Sequence, residues 1–248
     1  MAVGRAFGRG WLSQEPAFRR WVGAEGVSLV GSAVTTVVLP LVVYEATGSA
    51  AQTGLLFALR VVPYLLFGPI AGPIADRGNR RLLIVGGNIA EGVLAATIPL
   101  AHLLGVLTIA QIYVVGLLSA TVFVFSDAAV FGAVPSLVSV ARLPSANGLL
   151  ASVSSIAEIV GPAIGGVLAA TVGASNAIWI DAGSFLVAAG MQASIRSSFR
   201  SGPPARDRGS IWAQVRRAVA FVRHRRALAT LMIVGFGNSF SFGIVIGL

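Results

Sequence analysis

Arg60, Glu91, Asp127, Glu158 and Asp181 interrupt stretches that are otherwise almost wholly apolar. An ionised group in nonpolar surroundings is expensive unless it is paired, so each is a candidate for function by default. A carboxylate in such a place can take a proton from one side of a barrier and release it to the other, which is the chemistry of proton-coupled transport. Glu158 is the leading candidate because Pro162 follows four residues later. Proline has no amide hydrogen, so the Glu158 carbonyl loses its usual helical partner and the helix can bend there. Glu91 is the second candidate. Arg60 can pair with either of them, and the sequence does not choose between the two; a purely structural ion pair is the competing reading. Asp127 and Asp181 fall closer to the ends of their stretches, where hydrogen bonding at the interface is the simpler role.

The elements that must position these groups are membrane helices. Hydrophobic residues make up 56% of the 248 and charged residues 11%, with a mean hydropathy of +0.85. That excludes an ordinary soluble domain, in which about 25% of residues are charged. Spans of about 20 residues cross a bilayer, and six fit, at 23–46, 51–75, 81–102, 106–131, 145–170 and 174–195. The expected organisation is a cytoplasmic lead-in over 1–22, a six-span bundle over 23–195, a basic loop over 196–226 and a seventh span over 227–248. The lead-in mixes Gly, Arg, Trp and Pro and does not read as a signal peptide. Within the basic loop Ile211, Val215, Ala218, Val219 and Val222 recur at helical spacing, which predicts an amphipathic helix on the membrane surface. The absence of cysteine removes disulfides and thiolate metal sites. His102 and His224 are isolated, and no activated Ser or Cys arrangement is visible. Neither an enzyme, nor a metal centre, nor a cofactor is expected.

The net charge of +9 arises from 18 basic residues, all arginine. Apart from Arg60, they fall in the lead-in, after the second span, after the fourth, and after the sixth. The opposite loops hold none. The positive-inside rule then places the N-terminus in the cytoplasm of a multi-pass protein of the inner (plasma) membrane. Topology and anionic lipid account for the arginines, which leaves no case for nucleic acid as a partner.

Two local patterns stand out. In Gly68 to Arg81 an apolar helix runs into a knot of charge, and a second apolar helix begins at Leu82. The small residues at 68, 71, 72 and 75 predict a face that another helix can approach closely. Asp76 at a helix C-terminus needs Arg77, Arg80 or the amide end of the next helix as partner, and Asn79 suits the cap of that helix. Gly68-Pro69-Ile70-Ala71-Gly72-Pro73 also aligns with Gly161-Pro162-Ala163-Ile164-Gly165-Gly166 at an offset of 93 residues. Such symmetry fits two inverted three-helix repeats.

Gly72, Asp76, Arg77, Arg80 and Arg81 resemble the loop between the second and third spans of the major facilitator superfamily of transporters. Asn79 stands where that loop has its second glycine, and a left-handed backbone there would keep the turn tight. Gly148, Ala157, Gly161, Pro162, Gly165 and Gly166 resemble the fifth-helix motif of proton-coupled antiporters in the same superfamily, with Ala157 in place of one glycine. A kinked, tightly packed helix is the competing reading. Together with Arg60-Val61-Val62-Pro63 and Pro144 to Gly148, these residues resemble the branch of macrolide and multidrug efflux pumps and the enterobactin exporter.

The resemblance implies an all-α polytopic bundle: the six-span N-terminal half of the fold, plus the start of a seventh span. It implies a secondary active transporter exporting a small lipophilic or drug-like compound in exchange for protons. The Gly72 to Arg81 loop would govern gating, and Glu158, Glu91, Arg60 and Asp127 would be proton-coupling or buried-charge candidates. The implied partners are substrate, protons, the lipid bilayer, and a second transporter half or another copy of the chain. The alternative is a truncated, non-transporting membrane protein or an interaction subunit that needs a partner half.

Tags at Gly4 and near Gly202 should be reached by protease only from the cytoplasmic face, and a tag after Leu248 only from outside. Cleavage of the 196–226 segment solely from outside would reverse the orientation.

Overall fold

The computed structural model describes residues 10–197 and 199 and, further on, 210–212, 215, 216, 220, 221, 225 and 230. The chain divides into two compact units, Met1–Pro203 and Pro204–Leu248. In the second, residues 211, 212, 215, 216, 220 and 221 are helical, and the Arg225 guanidinium lies 4.7 Å from the Phe221 ring centroid. Most of the basic loop and the expected seventh span, apart from these positions and Thr230, lie outside the described residues.

The first unit is all helical in its described residues: α1 (Pro16–Thr47), α2 (Ala50–Arg77), α3 (Arg80–Leu103), α4 (Ile109–Ala133), α5 (Leu143–Val172) and α6 (Ala174–Ala193). Short 3-10 turns precede α1 and join α4 to α5. The boundaries follow local chemistry. Gly48, at φ 63°, ends α1, and the Ser49 hydroxyl accepts the Gln52 amide to start α2. Thr108 caps α4 in the same way. Gly173, at φ 87°, allows α6 to begin directly after α5.

Two boundaries depart from expectation. α1 starts at Pro16, inside the presumed lead-in, because Pro16 suits a first helical turn and because Phe18 and Trp21 are fully buried. Among the described residues, five helices are long and apolar enough to cross a membrane. α6 is shorter, at 20 residues, and is diluted by Asp181 and Gln192. Packing resolves the apparent conflict, since these side chains are only 3% and 1% exposed.

Helix neighbours follow the order α5, α1, α6, α3, α4, α2, with α6 and α3 at the centre. Exchanging α1 with α4, α2 with α5, and α3 with α6 maps this order onto itself. That is the pseudo-two-fold relation expected of inverted three-helix repeats, and each repeat contributes one helix to the other's flank. Close crossings recur at equivalent places. A side chain at Gly31 of α1 would collide with Ser184 of α6, and one at Gly87 of α3 with Ser126 of α4.

Apolar packing concentrates at the two ends. Phe18, Trp21, Ile84, Ala133, Leu137 and Ile195 cluster at the end that carries Arg19, Arg20, Arg77, Arg80, Arg81 and Arg142, hereafter the basic end. Val34, Val38, Leu56, Ile98, Ile112 and Ile178 cluster towards the opposite end. Polar and charged side chains occupy the layer between them.

The small-residue faces do not behave as their alignment suggests. On α2, Ala71 and Ala75 are buried, while an added Cβ at Gly68 or Gly72 would meet nothing within 4 Å. On α5, Gly161 and Gly165 are buried against Ala33 and Val34 of α1. The aligned glycines therefore serve different faces, because each helix meets its neighbour with its own rotation.

Gly161→Ala should force α1 and α5 apart and cost about 1–3 kcal/mol, the usual range for overpacking. Gly166→Ala, with nothing within 4 Å, should stay within about 0.5 kcal/mol of the parent. Thermal unfolding of the detergent-solubilised chain distinguishes the two.

Candidate functional site

The turn between α2 and α3 is organised by Arg80. Asp76 at the end of α2 accepts a hydrogen bond from Arg80 Nη2 at 2.7 Å. Arg80 Nη1 donates to the Gly132 carbonyl of α4 at 2.6 Å and to the Phe199 carbonyl at 3.5 Å. The Arg80 side chain is 13% exposed and that of Asp76 45%, so the carbonyl contacts form the protected part of this clamp. A side chain at Gly132 would collide with the guanidinium, which explains why glycine stands there. Arg81 donates to the Ala193 carbonyl at the end of α6 and lies 5.8 Å from the Phe199 ring centroid. Arg20 reaches the adjacent Ser194 carbonyl at 3.3 Å. The last carbonyls of a helix lack intrahelical donors and carry partial negative charge, so cations are favoured there. Arg142 joins the start of α5 to the segment before α1 through Glu15 at 3.2 Å and Gln14 at 2.6 Å.

Of the partners open to Asp76 from the sequence, the geometry brings Arg80 into contact; Arg77 completes the last turn of α2. Asn79 caps α3 as expected, its Oδ1 accepting the amides of Arg81 at 3.1 Å and Leu82 at 3.3 Å. The expected left-handed turn is absent. Gly78 and Asn79 have φ of −78° and −84°, because the chain passes between the helices in extended form and the cap supplies the turn.

In the middle layer, a cavity of about 70 Å³ is lined by Arg60, Glu91, Asp181, Ser32, Thr35 and Ser119, among others. Glu91 is 8% exposed. Asp181, expected near water, is instead buried at the α1–α6 crossing, where Ser32 donates to it at 3.3 Å. The close approach at Gly31 is what encloses it. Arg60 shares the cavity with Glu91 but, among the described residues, forms no ion pair within 4.0 Å with it or with Glu158.

A larger cavity of about 620 Å³ opens between α1, α4 and α5. Glu25 and Asp127 line it together with Trp21, Phe131, Asn147 and Ser154. Glu25 accepts a hydrogen bond from Gln192 at 3.1 Å, and Gln192 accepts one from Asn88 at 2.7 Å, which links α1, α6 and α3. Sequence reasoning passed over Glu25 and Gln192 because they stand near the ends of the expected spans. A usable signal was present in α6, where Asp181, Ser184 and Gln192 recur at helical spacing and mark one polar face.

The fifth-helix pattern divides between two faces. Ala157, Gly161 and Gly165 are buried, whereas Glu158, Pro162 and Gly166 are exposed and Gly148 meets nothing within 4 Å. Glu158, expected to be buried, therefore stands on the outer surface of α5, with Ser154 Oγ donating to it at 3.2 Å. α5 runs unbroken through Pro162. No group of three or more His, Cys, Asp or Glu side chains among the described residues could hold a metal ion.

The family profile described as Major Facilitator Superfamily matches residues 22–248. Macrolide efflux protein A of Streptococcus pyogenes is 25% identical over 220 residues, covering 87% of this chain and 53% of that protein. Multidrug efflux pump Tap of Mycolicibacterium fortuitum is 26% identical over 211 residues, or 82% of this chain and 51% of the relative. Enterobactin exporter EntS of Citrobacter koseri is 28% identical over 162 residues, or 65% and 39% of the two chains. The chain spans about half the length of the first two relatives.

Arg80→Ala should destabilise the chain by about 1–3 kcal/mol, the cost of leaving a protected carbonyl unsatisfied. Gly132→Ala should act through the same contact, so the double variant should fall well short of the sum. Asp76→Asn, on the exposed side of the pair, should cost under about 1 kcal/mol. Thermal unfolding of the four chains checks the cycle.

Proposed function

The chain belongs to the Major Facilitator Superfamily, and on that premise we propose that it forms the N-terminal half of a secondary active transporter exporting a small lipophilic or drug-like compound in exchange for protons. The observation that carries this reading is Glu158. It is exposed on α5 beside Ile156, Ile159 and Val160, themselves 59%, 76% and 41% exposed. A carboxylate near mid-span is costly against hydrocarbon, so this face suits a water-filled passage completed by a second six-helix half. That second half comes from further sequence, another protein or another copy of this chain. The relatives named for macrolide efflux and multidrug efflux support export of drug-like molecules.

In this reading the basic end faces the cytoplasm of the plasma membrane, as the arginine distribution favours. The Arg80 clamp, with Gly72, Asp76, Arg77 and Arg81 around it, governs opening at that end and does not touch substrate. The bare glycine face at Gly68 and Gly72 is available to the other half. Glu158 and Glu91 are the candidates for proton coupling, with Arg60 and Asp127 as charges that influence them. The Ala157, Gly161 and Gly165 face is the pivot of α5 on α1.

The test joins this chain to a second half and follows transport in proteoliposomes. Asp76→Asn should slow transport by about tenfold, equivalent to about 1.4 kcal/mol, while substrate affinity is retained. Loss of affinity with a normal transport cycle would contradict the gating role. Glu158→Gln should permit substrate exchange but abolish gradient-driven export without loss of folded protein. Normal proton-driven export by that variant would remove Glu158 from the mechanism.

A further inference from the structure

The middle layer holds more charge than either the basic clamp or the Glu158 face requires. Arg60 of α2, Glu91 of α3 and Asp181 of α6 line one cavity of about 70 Å³. The two carboxylates are 8% and 3% exposed. Asp181 has the Ser32 hydroxyl as a donor at 3.3 Å. Among the described residues the Glu91 side chain receives no hydrogen bond and no ion pair, and Arg60 has no carboxylate within 4.0 Å. The Thr35 hydroxyl in the same wall is buried beside Asp181. A space of this size holds about two waters, which could bridge these groups.

Counting charge decides what else must be there. With all three groups ionised the cavity carries a net negative charge, which is costly at mid-depth. One proton on the carboxylates makes it neutral. We infer that Glu91, Asp181 and Arg60 form a proton-binding site inside the six-helix bundle, in which one exchangeable proton resides on Glu91 while ionised Asp181 faces Arg60. Glu91 takes the proton because it lacks the donor that Asp181 receives from Ser32. The only bond made or broken is O–H, with cavity water as the carrier. A guanidinium in the wall opposes a metal cation in the same space.

The other titratable groups around this layer are Tyr64 of α2, Asp127 of α4 and Glu25 of α1, the last two lining the larger cavity. α5 contributes nothing to the small cavity. The site's use in coupling rests on the exporter reading, whereas its proton occupancy is a property of this chain and can be measured without transport.

The experiment counts protonated carboxyl groups by infrared difference spectroscopy, on the whole chain in lipid nanodiscs near neutral pH. Glu91→Gln and Asp181→Asn should each remove one protonated carboxyl, the second because Glu91 would then ionise against Arg60. Arg60→Gln should add one, since both carboxylates would need protons. Where Arg60→Gln alone does not fold, the charge-balanced Arg60→Gln/Asp181→Asn pair should match the parent count. A count unchanged by Glu91→Gln overturns the site, as does loss of the band on adding sodium. An unchanged count alongside proton-driven export sinks this site and leaves the transporter reading intact. The expected counts without gradient-driven export keep the site and sink the coupling role.

Discussion

The Arg80 guanidinium is the tie on which the basic end of the bundle depends. It holds a carboxylate of α2, a carbonyl in the last turn of α4 and the Phe199 carbonyl. Three segments distant in sequence thus converge on one rigid, planar donor. Lysine would place a single ammonium point there and could not span the same set, because its donors do not form a fork. The contact depends equally on Gly132, since any side chain at that position would occupy the guanidinium's place. Arg20 and Arg81 apply the same chemistry to the end of α6. The arginines that orient a membrane protein by their charge therefore also satisfy helix ends that lack internal donors.

Away from that end, close helix approach sets what the bundle can enclose. Gly31, Gly87, Gly161 and Gly165 stand where an added side chain would meet a neighbouring helix. Lipid offers helices little hydrophobic reason to associate, so packing at small residues and interhelical hydrogen bonds must do more of it. The outcome is a layered interior, with apolar clusters towards the ends and Glu25, Asn88, Glu91, Asp181 and Gln192 between them. Polar side chains in that layer have few alternatives to one another. That selects one rotation for each helix and gives α6 its place at the centre despite its modest hydropathy.

The outer surface carries the complementary part of the design. α2 and α5 occupy the ends of the helix order, and their outward faces include Leu65, Leu66, Ile159 and Glu158. The close approach of Gly161 and Gly165 to α1 sets the face bearing Glu158 next to the helix that carries Ser32 and Glu25.

The six helices, their approximate limits, the basic end and the Asn79 cap were legible in the sequence. Hydropathy, charge and capping are local quantities, and a bilayer turns them into span length and side. The burial of Asp181, the exposure of Glu158, the roles of Glu25 and Gly132, and the choice of Arg80 as partner to Asp76 were not. Each depends on the rotation of a helix about its own axis, and that is fixed by contacts with helices remote in sequence. The residues at 68 and 161 show the difference, since both are glycines in aligned patterns, yet one faces open space and the other meets Ala33. Sequence set the order, length and apolar character of the helices; packing decided which way each side chain turned, because only the assembled neighbours supply the steric and hydrogen-bonding contrast between faces.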